Sequence, residues 1–290
     1  MSENVFAVVG PGAVGGLFAW RLSRAGHEVV AVGRPEMVAA IRDEGIALRS
    51  ATFGSGVERV AAATEVPEGA SVILATKAYG LADVLPVIAA ARPAEVVSFL
   101  NGVEHRELIR EALPGVRVTA ASIAVSALRV SRTVIDHRSP FATVEVAEEA
   151  GGFAAVMALA AAGPKVRAGG TEAEVLWRKF RLLAALALLT SFWRQPAGPA
   201  LTEDQELTEA VIAEIVACSA AEGVPASAHD LVGALHSVPG GMRTSLQEDL
   251  AAARPSELDA IGGALLRAGA RHGFPTPALA RIVATLGSNA

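Results

Sequence analysis

Along the first third of the chain, short runs of apolar and β-branched residues alternate with stretches whose apolar positions recur at helical spacing. Runs at 5–9, 28–32, 72–76, 96–100 and 116–120 read as strands, with helices at 13–24, 35–43, 81–91 and 104–113. Strands that are apolar throughout, rather than at every second position, predict a parallel sheet covered by helices on both faces. Weaker runs at 45–49 and 57–62 read as smaller strands. Alternation over 130–146, broken at Ser139-Pro140, predicts a hairpin at the sheet's edge. After Gly169-Gly170 convincing strands cease. Residues 172–194 are apolar on more than one side and so predict a buried helix. Helices follow at 202–222, 226–235, 244–253 and 257–272, the last closed by Gly273 and Pro275. The chain therefore divides near residue 169 into an α/β domain of doubly wound, mostly parallel sheet (1–169) and an all-α domain (170–290).

Composition narrows the function. Of 290 residues 52% are hydrophobic and 19% charged, enough for buried cores and no case for disorder. A net charge of −5 and 4% aromatic content argue against nucleic acid, which needs surplus cations and stacking platforms. Cys218 is the only cysteine, so an internal disulfide is excluded; a packed, inert thiol in a reducing cytoplasm is expected. Met1-Ser2-Glu3-Asn4 lacks the basic start of a signal peptide, and the apolar stretch at 182–189 is far shorter than the ~20 residues of a membrane span. A soluble protein acting on a small molecule is expected. The helical half is compatible with a homodimer or a monomer.

Gly10-Pro11-Gly12-Ala13-Val14-Gly15 ends the first strand and opens the first helix, the setting in which G-x-G-x-x-G binds a dinucleotide pyrophosphate at a helix N-terminus. The second strand ends Val32-Gly33-Arg34, without the acid that NAD enzymes place on the ribose. A small residue followed by arginine suits a 2′-phosphate, which a guanidinium grips with two hydrogen bonds, so NADP(H) is expected. The alternative is a solvated loop charge at Arg34 and an enzyme indifferent between the two cofactors.

Further landmarks follow in order: Thr76-Lys77-Ala78-Tyr79, Leu100-Asn101-Gly102-Val103, Trp177-Arg178-Lys179, Leu189-Thr190-Ser191, Ser245-Leu246-Gln247-Glu248-Asp249 and Ser256-Glu257-Leu258-Asp259. With the glycine loop they make the chain resemble the ketopantoate reductase (2-dehydropantoate 2-reductase) family over nearly its whole length. The resemblance implies a Rossmann domain followed by a 6-phosphogluconate-dehydrogenase-like helical domain, and NADPH reduction of a 2-keto acid, with ketopantoate, reduced to pantoate, as the default substrate. It implies Lys179 as general acid, Glu257 near the substrate hydroxyl and Ser245 near the substrate carboxylate. Asn101 lies beside cofactor and substrate by the same resemblance, and Lys77 in the cleft. The chemistry stands independently: reducing a carbonyl leaves an alkoxide, and a desolvated lysine can protonate it near neutral pH. Each residue also has a plainer assignment. Lys77 and Asn101 are then hydrated strand-end groups, Lys179 a snorkelling lysine, Glu257 a first-turn acid behind an N-cap at Ser256, and Ser245 a cap or solvent-facing serine. Trp177, Phe180, Phe192 and Trp193 read as core, and His137 beside Asp136 as hairpin surface.

The match fails on one stripe. The family's long helix carries asparagines four and eight residues after the lysine, where this chain has Leu183 and Ala187; Ala197-Gly198 replaces a later asparagine-glycine pair. At about 100° per residue, positions 179, 183 and 187 share one face. A stripe expected to be amide-lined is apolar, which points to a substrate more apolar than ketopantoate. A different ketone or imine reduced on the same scaffold is a second reading. A non-catalytic NADPH sensor is a third, disfavoured because Lys179 and Glu257 both survive.

Overall fold

The computed structural model describes residues 4–288. Met1, Ser2 and Glu3, invoked above against a signal peptide, lie outside the described residues. The chain forms two compact units, residues 1–100 with 105–175, and residues 101–104 with 176–290.

Unit 1 opens with strands β1 (Phe6–Val9), β2 (Val29–Val32), β3 (Ile46–Ser50), β4 (Gly56–Glu58), β5 (Ala61–Ala63), β6 (Ser71–Leu74), β7 (Glu95–Ser98) and β8 (Arg117–Ala120). Helices α1 (Ala13–Arg24), α2 (Pro35–Glu44), α3 (Leu81–Ala90) and α4 (His105–Ala112) run between them. Six strands form a parallel sheet in the order β5-β2-β1-β6-β7-β8. The order reverses between β1 and β6, the point at which open α/β sheets bind ligands. Alternate residues of each strand serve opposite cores. Phe6, Val8, Ala31, Ile73 and Val97 pack with Phe18 and Trp20, whereas Ala7, Val9, Val72, Leu74 and Val96 pack with Leu81, Ile88 and Ile109. Burial on both faces explains why these strands lack polar alternation.

The rest of unit 1 departs from the sequence expectation. The run at 57–62 is two strands: β4 pairs antiparallel with β3, and β5 joins the edge of the main sheet beside β2. The hairpin expected over 130–146 does not form. After β9 (Ser122–Ala124) and β10 (Ala127–Arg129), strand β11 (Val134–His137) enters a four-stranded sheet ordered β10-β11-β3-β4. Strand β12 (Thr143–Val146) instead lies between β9 and β13 (Lys165–Ala168) in a third sheet. His137, expected at a surface, is buried and explains the break. Its Nδ1 lies 2.8 Å from Ser50 Oγ, its Nε2 3.1 Å from the Phe141 carbonyl, and its ring stacks on Phe53. Helix α5 (Ala154–Ala161) precedes β13. Helix α5 escaped the sequence pattern because AAVMALAA has no polar face to set a period.

Unit 2 is helical. Helix α6 (Glu172–Trp193) is followed by α7 (Ala197–Thr202), α8 (Gln205–Ala221), α9 (Ala228–His236), α10 (Ser245–Ala251), α11 (Ala264–Arg271) and α12 (Pro277–Gly287). The single helix expected at 202–222 breaks because Asp204 turns its carboxylate onto the Leu207 amide (2.9 Å), starting α8 afresh. Before α11 the chain makes a π-helical turn, Asp259–Gly263. Glu257 precedes that turn, and its carbonyl accepts the Ile261 amide (3.0 Å), so it is not a first-turn acid behind Ser256. Cys218 is buried with Sγ 3.5 Å from the Leu265 carbonyl, and desolvation pushes its thiol up to about 11. No described helix is long and apolar enough to cross a membrane.

Candidate active site

The glycine loop joins β1 to α1 in unit 1. Gly10 has φ +86°, and a Cβ there would sit 2.8 Å from the Thr76 backbone, so this turn beside β6 admits only glycine. Gly12 is different: its φ is −79°, and a Cβ would meet nothing within 4 Å. Glycine at 12 therefore keeps space open above the loop without serving the fold. At Gly15 a Cβ would overlap the Gly10 carbonyl, which sets the close approach of helix to loop. Pro11 packs against Gly33, at the end of β2. Helix α1 has no side-chain cap, and its first intrahelical bond runs from the Gly16 amide to the Gly12 carbonyl (2.9 Å). The amides of Ala13, Val14 and Gly15 are left to an external acceptor. Open space at Gly12 and uncapped amides together fit a dinucleotide pyrophosphate. Arg34 is exposed directly after β2, at the N-cap position of α2, and Lys77 is half-buried after β6.

Unit 2 assembles the chemical groups. Lys179 is half-buried on α6 and donates from Nζ to Asn101 Oδ1 at 3.0 Å. Asn101 Nδ2 donates to Glu257 Oε2 at 3.2 Å. The donor and acceptor sides of the amide match its two neighbours, which fixes its orientation. Residues from three separate segments thus form one chain, ammonium to amide to carboxylate, and Glu257 is buried. Desolvation pulls the Lys179 ammonium down to about 8, while the negative charge of Glu257 opposes the shift.

Leu183 is half-buried and Ala187 buried one and two turns along α6, and neither carries a hydrogen-bonding group. The next polar group near this stripe, Thr190, is buried and tied to the Leu186 carbonyl (2.7 Å) and to Thr244 Oγ1 (3.0 Å). Thr244 is also the N-cap of α10, accepting the Gln247 amide, so Ser245 is the first helical residue, exposed, and not the cap. Trp177 and Phe180 are core, edge to face at 5.3 Å, whereas Phe192 and Trp193 are only half-buried. Among the described residues no cluster of His, Cys, Asp and Glu is placed to hold a metal.

Two features had no sequence expectation: the bridging place of Asn101, and the grip of Arg267 and Arg271 on Glu104. Basic residues four apart on one helix face were the available signal for the second.

Fold and site define an NAD(P)-dependent oxidoreductase. Residues 6–149 match the family model described as Ketopantoate reductase PanE/ApbA, and residues 173–289 match that of its C-terminal domain. The chain belongs to the ketopantoate reductase PanE/ApbA family. A 2-dehydropantoate 2-reductase from Caulobacter vibrioides is 33% identical over 98% of each chain. The crystal structure of a PanE/ApbA family ketopantoate reductase from Ralstonia eutropha JMP134 superposes with a TM-score of 0.89 at 26% identity, covering 99% of this chain and 98% of that one. D-mandelate dehydrogenase, in a ternary structure with NADH and anilino(oxo)acetate, shares the fold with a TM-score of 0.86 at 20% identity over 98% of each chain.

Proposed function

We propose that the chain reduces the 2-oxo group of a 2-keto acid more apolar than ketopantoate, using NADPH, with Lys179 as the general acid. The observation that carries this proposal is the Lys179–Asn101–Glu257 chain, in which a desolvated ammonium is aimed by an amide. NADPH, when bound, supplies the hydride. The backbone of residues 10–15 would hold its pyrophosphate and Arg34 its 2′-phosphate, with Lys77 and Asn101 assigned beside it by the family resemblance. Lys179 gives a proton from Nζ to the substrate oxygen as negative charge develops there. Asn101 Oδ1 occupies one of the three N–H bonds and so restricts where the others point. Glu257 anchors the amide from its other side and faces the substrate hydroxyl by the same resemblance, while Ser245, exposed at the start of α10, is assigned to the carboxylate.

Lys179→Ala should lower kcat by about 10²- to 10⁴-fold while leaving NADPH binding unchanged. Near-normal turnover in that variant would refute the general-acid role. The apolar stripe at Leu183 and Ala187 also favours a second reading, a ketone or imine that lacks the carboxylate. A panel of 2-keto acids, ketones and imines, followed by NADPH absorbance, separates the two. Ketopantoate turned over with the highest kcat/KM of the panel would refute both departures and return the chain to the pantoate-forming reaction. A cytoplasmic setting, with NADPH at hand and Cys218 reduced, is proposed with this activity.

A further inference from the structure

Residues 101–104 are the only part of unit 2 contributed by the N-terminal half of the sequence. They are fixed at each position. Asn101 makes the two hydrogen bonds described above. Gly102 has φ +95°, and a Cβ there would lie 2.8 Å from the Ala260 carbonyl, so the loop rests directly on the π-helical turn. Val103 is buried. The Glu104 carboxylate accepts from Arg267 Nε (3.2 Å to Oε1, 3.0 Å to Oε2), from Arg267 Nη2 (2.7 Å) and from Arg271 Nη1 (3.0 Å).

Arg267 holds a second segment with the same fork. Its Nη1 donates to Asp259 Oδ1 (2.8 Å) and its Nη2 to the Asp259 carbonyl (3.2 Å), two residues after Glu257. One guanidinium therefore joins the loop that carries Asn101 to the turn that follows Glu257. Partly exposed ion pairs contribute little to stability, but a planar fork shared between two segments fixes their alignment.

We propose that Glu104 and Arg267 are positioning residues, clasping loop to helix so that Asn101 stays between Lys179 and Glu257 during proton transfer. The inference rests on the role proposed for Lys179. Asn101 Oδ1 accepts from the charged lysine and so favours the protonated form. Loosening the clasp withdraws that acceptor, and the ammonium then loses its proton at lower pH.

The test compares Glu104→Ala and Arg267→Lys with the wild-type enzyme, measuring kcat against pH, KM, NADPH affinity and thermal stability. Glu104→Ala should lower kcat by about 10- to 100-fold, leave NADPH affinity intact and move the alkaline limb of the kcat profile to lower pH. Arg267→Lys, which keeps the charge and loses the fork, should shift the limb in the same direction by less. Glu214→Ala is the stability control. Its carboxylate accepts the Ala278 and Leu279 amides at 2.9 and 2.8 Å, so its loss weakens α12 without touching the loop. A wild-type kcat and limb in Glu104→Ala, or an equal displacement in Glu214→Ala, overturns the positioning role. A fully active Lys179→Ala instead overturns the reading beneath it.

Discussion

Gly10 and Gly12 stand two residues apart in one turn, yet an alanine at each tests a different property. At position 10 the left-handed backbone and the nearby Thr76 make Gly10→Ala a folding defect of at least about 1–3 kcal/mol, measurable by denaturant unfolding. At position 12 the backbone suits any residue and the added methyl meets no protein atom. Gly12→Ala should therefore change stability by less than about 0.5 kcal/mol while weakening nucleotide binding. Equal affinity for NADPH in wild type and Gly12→Ala would remove the loop from the cofactor site. In the role proposed for it, Lys179 sets the pH dependence. Burial pulls its ammonium down from 10.5 to about 8, and a general acid for reduction must carry the proton. The kcat for reduction should be level below that value and fall as pH rises through it; kcat for the reverse oxidation, which needs the neutral amine, should rise over the same interval. A pH-independent kcat in both directions contradicts the assignment. The candidate site residues stand in the sequence as separate landmarks. Their connection through Asn101 is not legible there, because positions 101, 179 and 257 approach one another only in the folded chain.

At the scale of elements, the main sheet was legible because both faces of each strand are buried and the helices between strands keep a clear period. Helix α1 begins and ends where the pattern places it, at Ala13 and Arg24. Elements failed where side chains carry no period or where a partner is distant in sequence. The alanine run of α5 has no polar face, and β11 and β12 part company because β3 and β9, far back along the chain, claim them. The break at Asp204 shows one carboxylate overriding an otherwise continuous helical pattern. On α6, the apolar stripe after Lys179 is proposed to set substrate preference. Leu183→Asn places an amide at a half-buried position of the helix, and should raise kcat/KM for hydroxylated 2-keto acids relative to apolar ones. A ratio unchanged across the substrate panel would take position 183 out of the site.

For the whole molecule, the glycine loop proposed to hold the nucleotide and the lysine proposed to give the proton can be tested separately, the first by nucleotide binding without turnover. A nucleotide at 100 times its dissociation constant stabilises the form that binds it by about 2.7 kcal/mol. On the proposed preference for NADPH, it should raise the thermal midpoint more than NADH at equal concentration, and Arg34→Ala should abolish the difference while leaving the NADH effect. Equal loss for both nucleotides would mean that Arg34 does not meet a 2′-phosphate. The compact units divide between Val175 and Leu176, inside α6 and six residues past the change of pattern near 169, and the transfer of residues 101–104 to the helical unit has no signal in the sequence. That exchange depends on Gly102 and Glu104 finding partners more than 150 residues further along the chain.

One contact in unit 1 bears on how such a chain can change over generations. The second residue of α1's glycine pair, Gly16, leaves so little room that a methyl would overlap Ile135 Cδ1 on β11. A larger residue at 16 must displace that terminal methyl, an obstacle that a smaller residue at 135 removes in advance. The two sites are therefore expected to vary as a couple among descendants of this sequence. Gly16→Ala should unfold more readily than wild type, and adding Ile135→Val should recover part of the loss.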